Sequence, residues 1–219
     1  MFLLICTVAM ILTVVGGIVL LTKKARDKQI AQYRQWAQQH GLHYTAVDPT
    51  VAAMSTRVPF GIGNNRTGRD VFRTTYNGRH LVFGEYSFTK GPNKNLQRHI
   101  AQFVAIPLPT PRPYLNVARE DVVSQLFAVF GRRGIRLGNE EFNRLFHVET
   151  DSERFAHDVL SLQLMQWLID SGTKAYPFRI EGQWLMTLSR QELQLNDIYI
   201  HADFLHGLLN RIPHHVWQG

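Results

Sequence analysis

The stretch RDVFRTTYNGRHLVFGEYSFT, residues 69–89, decides the fold class. Asn77-Gly78 is the pair that a two-residue type I′ turn prefers, because that turn needs positive φ at both central residues. Apolar and polar residues alternate on either side of it, so the spacing predicts a β-hairpin. The turn also fixes the register: Tyr76 opposite Arg79, Thr74 opposite Leu81, Phe72 opposite Phe83. One face then carries Phe72, Leu81 and Phe83 toward a core, and the other carries Arg73, Thr75, His80 and Tyr86.

Downstream of this hairpin, after a loop from Lys90 to Asn95, His99 to Ile106 is apolar on both sides and suits a central strand. Pro107, Pro109, Pro111 and Pro113 follow at every second position. Each removes a backbone donor, so the segment is expected to be an extended connector, or less directly a ligand for a proline-binding partner. Tyr114 to Ala118 reads as a strand, Glu120 to Phe130 as a short helix and Phe146 to Thr150 as a strand. Asp151 or Ser152 caps the next helix, with Glu153 in its first turn. Phe155, Val159, Leu162, Met165 and Leu168 recur at helical spacing there, as a core stripe does. Phe178 to Glu181 and Gln183 to Ser189 read as a second hairpin around Gly182, and a helix from Asn196 to Arg211 ends before Pro213.

Upstream, a helix from Lys24 to His40 ends at Gly41, a residue suited to the left-handed cap. Ile30, Tyr33, Trp36 and Ala37 share its apolar face. A short strand from Leu42 to Thr45 and a loop from Asp48 to Thr67 follow. The run Gly61 to Gly68 in that loop lacks the Lys-Ser/Thr pair and the following helix that a phosphate loop needs.

The first residues, FLLICTVAMILTVVGGIVLLT from Phe2 to Thr22, carry no charge and are followed by Lys23, Lys24, Arg26 and Lys28. Such a run covers about 30 Å as a helix, the thickness of a bilayer core, and reads as a membrane-spanning anchor. A cleaved signal peptide would need a basic segment before it and a small-residue site after it. The basic flank places the N-terminus outside and the rest in the cytoplasm, as a single-pass protein of the cell membrane. Ala9, Thr13 and Gly17 fall on one face at intervals of four, either as a homodimer contact or as ordinary membrane-helix composition.

The division expected is therefore 1–22 as transmembrane helix, 23–41 as juxtamembrane helix and 42–219 as an α+β domain of antiparallel hairpins with packed helices. The lone cysteine, Cys6, excludes a disulfide framework and a thiol metal site. Residues 57–119 hold ten basic side chains against two acids, and residues 120–219 hold nine against thirteen. Either the two halves attract each other inside one domain, or the basic half, with Arg69, Arg73 and Arg79 on the hairpin, contacts anionic lipid headgroups.

The phrases FNRLFHVETDSERFAHDVLS, RTTYNGRHLVFGEYSF and VAIPLPTPRP together resemble uncharacterised, membrane-anchored bacterial proteins of a kind common in actinobacteria. The resemblance covers most of residues 25–213. It implies a membrane-tethered α+β domain and brings no activity, cofactor or catalytic residue with it.

Catalytic motifs are missing from the sequence. His40 and His43, His201 and His206, and His214 and His215 lack the i, i+4 spacing of a helical metal pair, and there is no HExxH or GxSxG. Adjacent Glu140 and Glu141 diverge on any regular element. No cofactor is expected, and nucleic-acid binding finds no recognition-helix or RNA-sheet signature. Two readings remain: a non-enzymatic interaction module that binds a protein partner or anionic headgroups, and a hydrolase whose site assembles only in three dimensions.

Overall fold

A computed structural model describes residues 2–91, 96–120 and 134–218, with the side chains of residues 2–15, 18 and 19 outside that description. Six strands form one antiparallel sheet: β1 His43–Asp48, β2 Asn64–Tyr76, β3 Arg79–Lys90, β4 Gln97–Arg119, β5 Phe146–Thr150 and β6 Phe178–Ser189. The described helices are α1 Phe2–Gln39, α2 Glu140–Leu145, α3 Glu153–Val159, α4 Leu162–Ser171 and α5 Ile198–Leu209. Residues 121–130 of the expected helix at 120–130 and residues 92–95 of the 90–95 loop lie outside the described residues.

The hairpin forms as its turn dictates. Asn77 and Gly78 have φ of 48° and 75°, and Phe72 faces Phe83, Thr74 faces Leu81 and Tyr76 faces Arg79. From there the sheet runs β1-β2-β3-β4-β5, with β6 on the opposite edge of β4.

β4 joins two half-sheets. Residues 97–105 pair with β3 and residues 115–119 with β5 along one edge, while β6 follows the other edge from Gln102 to Val117. The four prolines lie inside this strand, which corrects the expectation of a connector. They are tolerated because they fall between the last β3 partner and the first β5 partner, where among the described residues that edge has no neighbour. There too the ladder to β6 is interrupted by register shifts between Pro107 and Leu115, so few donors are missed. Gly182, with φ of 55°, sits opposite Arg112 at those shifts. Residues 178–189 are therefore one bulged strand and not a second hairpin.

Both faces of the sheet are covered. On the helical face Phe72, Leu81, Phe83, Ile106, Leu115, Val148 and Ile180 pack with Ala37 of α1, Leu164 and Leu168 of α4 and Leu205 of α5. On the other face the segment between β1 and β2, residues 49–63, forms a strap whose Val51, Met54 and Phe60 cover Val71, Val82, Tyr86, Phe103 and Met186. Tyr86, on the hairpin face opposite the first core, is thus part of a second one. Its hydroxyl donates to Phe60 O at 2.8 Å, and burial pushes its pKa to about 12. A bulge at Asp70, with φ of 48°, reverses the alternation of β2 between Arg69 and Phe72.

The helix after Ser152 is broken in two. Ser152 Oγ accepts from Phe155 N at 3.2 Å and Ser161 Oγ from Leu164 N at 3.3 Å, so each serine caps its own helix. The break turns Leu162 outward, 70% exposed, and Leu164 takes the core position at 0%.

α1 is a single helix of 38 residues, and its C-terminal part docks on the sheet, where Tyr33 and Trp36 meet Phe72 at ring distances of 5.7 and 5.5 Å. Gly41 closes it with φ of 68°. Among the described residues no helix is long and apolar enough to cross a membrane. That overturns the reading of Phe2–Thr22 as a transmembrane helix, and with it the single-pass placement with an external N-terminus and a cytoplasmic domain. The apolar run is the first part of a helix that continues without a break past the basic residues into the domain. One of those residues, Arg26, serves the fold.

Candidate functional site

Arg26 forks onto Asp70, Nη1 to Oδ2 at 2.5 Å and Nη2 to Oδ1 at 3.0 Å, while Nη2 also reaches Ala46 O at 3.3 Å. Tyr44 OH donates to the same carboxylate at 2.5 Å. The bulge in β2 aims Asp70 at α1, where it is 1% exposed. Burial works against the Arg26 charge, but the hydrogen bonds and charge of Asp70 outweigh it and hold the guanidinium pKa above its usual value. Tyr44 is pushed up by burial and by donating to Asp70. Lys23, Lys24 and Lys28 are exposed and make no ion pair among the described residues, and Leu20 and Leu21 beside them are 69% and 70% exposed. At Gly17 an added Cβ would meet nothing within 4 Å, and the side chains of Ala9 and Thr13 lie outside the described ones.

The hairpin arginines do not form one surface. Arg73 is ion-paired with Asp48, whose carboxylate also accepts from Thr50 N at 2.9 Å and Thr50 Oγ1 at 2.6 Å. Burial would raise the Asp48 pKa, but the hydrogen bonds from Thr50 and Arg73 bring it below the usual carboxylate range. Arg69 lies across the bulge from Arg73, opposite Glu85 and therefore on the helical face. Burial, with Arg98 and Arg26 nearby, lowers its pKa. Arg79 is exposed beside the turn.

A third constellation escapes sequence reading. Glu149, Asn116 and Arg179 stand side by side on β5, β4 and β6, exposed by 3%, 3% and 1%, on the strap side of the sheet. Arg179 donates from Nη1 to Ser55 Oγ at 3.0 Å and from Nη2 to Val58 O at 2.8 Å, both on the strap. Among the described residues no carboxylate is within ion-pair distance of it, and burial depresses its pKa. Glu181, two residues on, accepts from Ser55 Oγ, from Thr56 N at 3.0 Å and from Thr56 Oγ1 at 2.8 Å. The Tyr114 ring carries the guanidinium of Arg57 at 4.9 Å and that of Arg179 at 5.4 Å, while Arg57 reaches Asp151 at 2.5 Å. Tyr114 OH donates to Glu149 Oε2 at 3.2 Å, and His147 lies 3.4 Å from Glu149 and 3.5 Å from Glu120.

This seam fastens the strap to β6. Ser55 Oγ donates to the Glu181 carboxylate and accepts from Arg179, so the three side chains form a latch between the strap and β6. The charges of Arg179 and Glu181 are matched by a covering segment that has no periodicity of its own. Among the described residues, no three His, Cys, Asp or Glu side chains are grouped so as to hold a metal ion.

One solved structure shares this architecture. The crystal structure of the mycobacterial trehalose monomycolate transport factor A, TtfA, superposes with a TM-score of 0.57 over 83% of this chain and 94% of that one, at 11% identity. At that identity the likeness speaks for the fold alone. No family model matches the chain, and no curated protein matches it by sequence.

Proposed function

We propose that this chain is a non-enzymatic interaction module, an accessory of a transport process, that docks on anionic lipid headgroups through the outer face of α1. The observation that carries this reading is the contrast within α1. Arg26 turns inward to Asp70, while Lys23, Lys24 and Lys28 stay exposed beside the exposed Leu20 and Leu21. Basic side chains next to unburied leucines match the border between headgroups and acyl chains. The shared fold with a transport factor supports the wider role, since the described site holds its polar side chains in latches.

Flotation of the full chain with phosphatidylglycerol vesicles tests it. Replacing Lys23, Lys24 and Lys28 by Ser is expected to weaken binding by about a hundredfold, from about 1 kcal/mol per basic residue at an anionic surface. Replacing Arg69, Arg73 and Arg79 by Ser is expected to matter less, because Arg73 is neutralised by Asp48 and Arg69 faces the helices. Binding that ignores the lysines would overturn the headgroup reading and leave a protein partner as the occupant of this helix.

A further inference from the structure

We infer that the end of the sheet beyond the strap holds a binding site for a phosphate-bearing anion, built from His40, His43, His80, Arg73 and Thr75. Register places these groups. His43 is paired with Arg73 across β1 and β2, and Thr75 with His80 across β2 and β3. Arg73 and Thr75 are two apart on one strand, so all four share the strap-side face. His40 arrives from the end of α1. Its ring stacks on Trp36 at 4.4 Å and its Nδ1 lies 2.8 Å from Trp36 O, so Nδ1–H donates and Nε2 is left for a ligand. Together they line a shallow groove of about 590 Å³, within the size range of small-molecule sites.

Among the described residues no acidic side chain lines this groove. Asp48 pairs with Arg73 and leaves that side chain 38% exposed. The donors come from four separate elements, α1, β1, β2 and β3, which suits a tetrahedral oxyanion with several acceptors better than a planar carboxylate. Imidazole and guanidinium N–H groups are the donors that such an anion would meet. Both a lipid headgroup and a soluble phosphate ester offer this chemistry. α1 packs against the helical face, so a lipid surface resting on the outer side of α1 faces away from the strap-side groove. The source expected is therefore soluble.

The test is calorimetric titration of the full chain with inorganic pyrophosphate at about pH 6. One-to-one binding is expected. The combined variant His40→Gln, His43→Gln and His80→Gln is expected to weaken it by about tenfold or more, since three ring contacts to the anion are lost. A control carrying His157→Gln, His214→Gln and His215→Gln, all exposed and outside the groove, is expected to bind as the parent does. Equal affinity of the two variants, absence of binding at about pH 6, or loss of binding to a chelator would overturn the site. Flotation of the groove variant separates this from the headgroup reading. Unchanged vesicle binding is expected, and a loss equal to that from the lysine variant would make the groove a lipid contact and overturn the soluble source.

Discussion

On the helical face of the sheet the cover is periodic: Tyr33, Trp36 and Ala37 of α1 and Leu164, Met165 and Leu168 of α4 present apolar stripes to Phe72, Phe83 and Ile106. On the opposite face the cover is the strap 49–63, which has apolar pegs in Val51, Met54 and Phe60 and little backbone pairing of its own. A helix satisfies its own backbone and asks only for apolar contact. The strap does not, and its polar groups at residues 55–58 are matched by the charged side chains of Arg179 and Glu181. Burying an arginine without a carboxylate partner costs several kcal/mol. It persists here because three acceptors on the strap and the Tyr114 ring surround it.

If that contrast is right, substitutions on the two faces fail differently. Phe83→Ala, at 0% exposure and stacked on Phe72 at 5.0 Å, is expected to lose about 3–5 kcal/mol in urea unfolding. A loss below about 1 kcal/mol would show that the helical face is not the main core. Arg179→Ala is expected to lose about 2–4 kcal/mol, from lost volume and from strap acceptors left without donors. Arg179→Met keeps the volume and is expected to lose less. Protease cutting is expected to rise within residues 49–63 for the alanine variant, and cutting first in α4 or α5 would break the assignment of Arg179 to the strap.

The docking of α5 makes the helical face sensitive to acid. His201 and His206 are 6% and 8% exposed, and burial lowers the pKa of both. Around His206, Arg79 deepens the shift and Asp203 opposes it; around His201, Asp197 opposes it. The unfolded chain thus takes up these protons first. Their contribution is full above about pH 6.5 and is lost as pH falls through that value toward the folded pKa. His201→Phe and His206→Phe together are expected to flatten the fall in stability between about pH 7 and pH 5, measured by urea midpoints. An unchanged slope would remove the histidines from the account. The smallest effect is expected at Leu162→Ser, within about 0.5 kcal/mol, because the break at Ser161 leaves that leucine in water.

What the sequence revealed follows the same division. The Asn77-Gly78 turn fixed the pairing of Phe72 with Phe83 locally, and the caps at Gly41 and Ser152 were legible because each depends on a few adjacent residues. The course of β4 through four prolines was not, since tolerance of a missing donor depends on whether a neighbour strand exists there, a matter settled by β5 and β6 far along the chain. Gly182 reads as a turn for the same reason. Leu162 kept the helical period while Ser161 ended it, and the period was the louder signal. The burial of Arg179 was not legible, because the segment that covers it has no pattern pointing to it. In the groove, His43 and His80 are far apart in sequence and meet only through the register of three strands.

The length of β4 has a consequence for the nascent chain. When synthesis reaches Arg119, the strands that flank the first half of β4 on one side are complete, but β6 begins about sixty residues later. At ordinary elongation rates that is roughly 3 to 12 s. Through that interval the β6-facing edge of Gln102 to Ile106 is open, in a strand bearing Phe103 and Val104, the kind of edge on which a second nascent chain adds. The prolines from 107 to 113 end that edge abruptly. The stretch a stranger could pair with is held to a few residues until β6 arrives to occupy it.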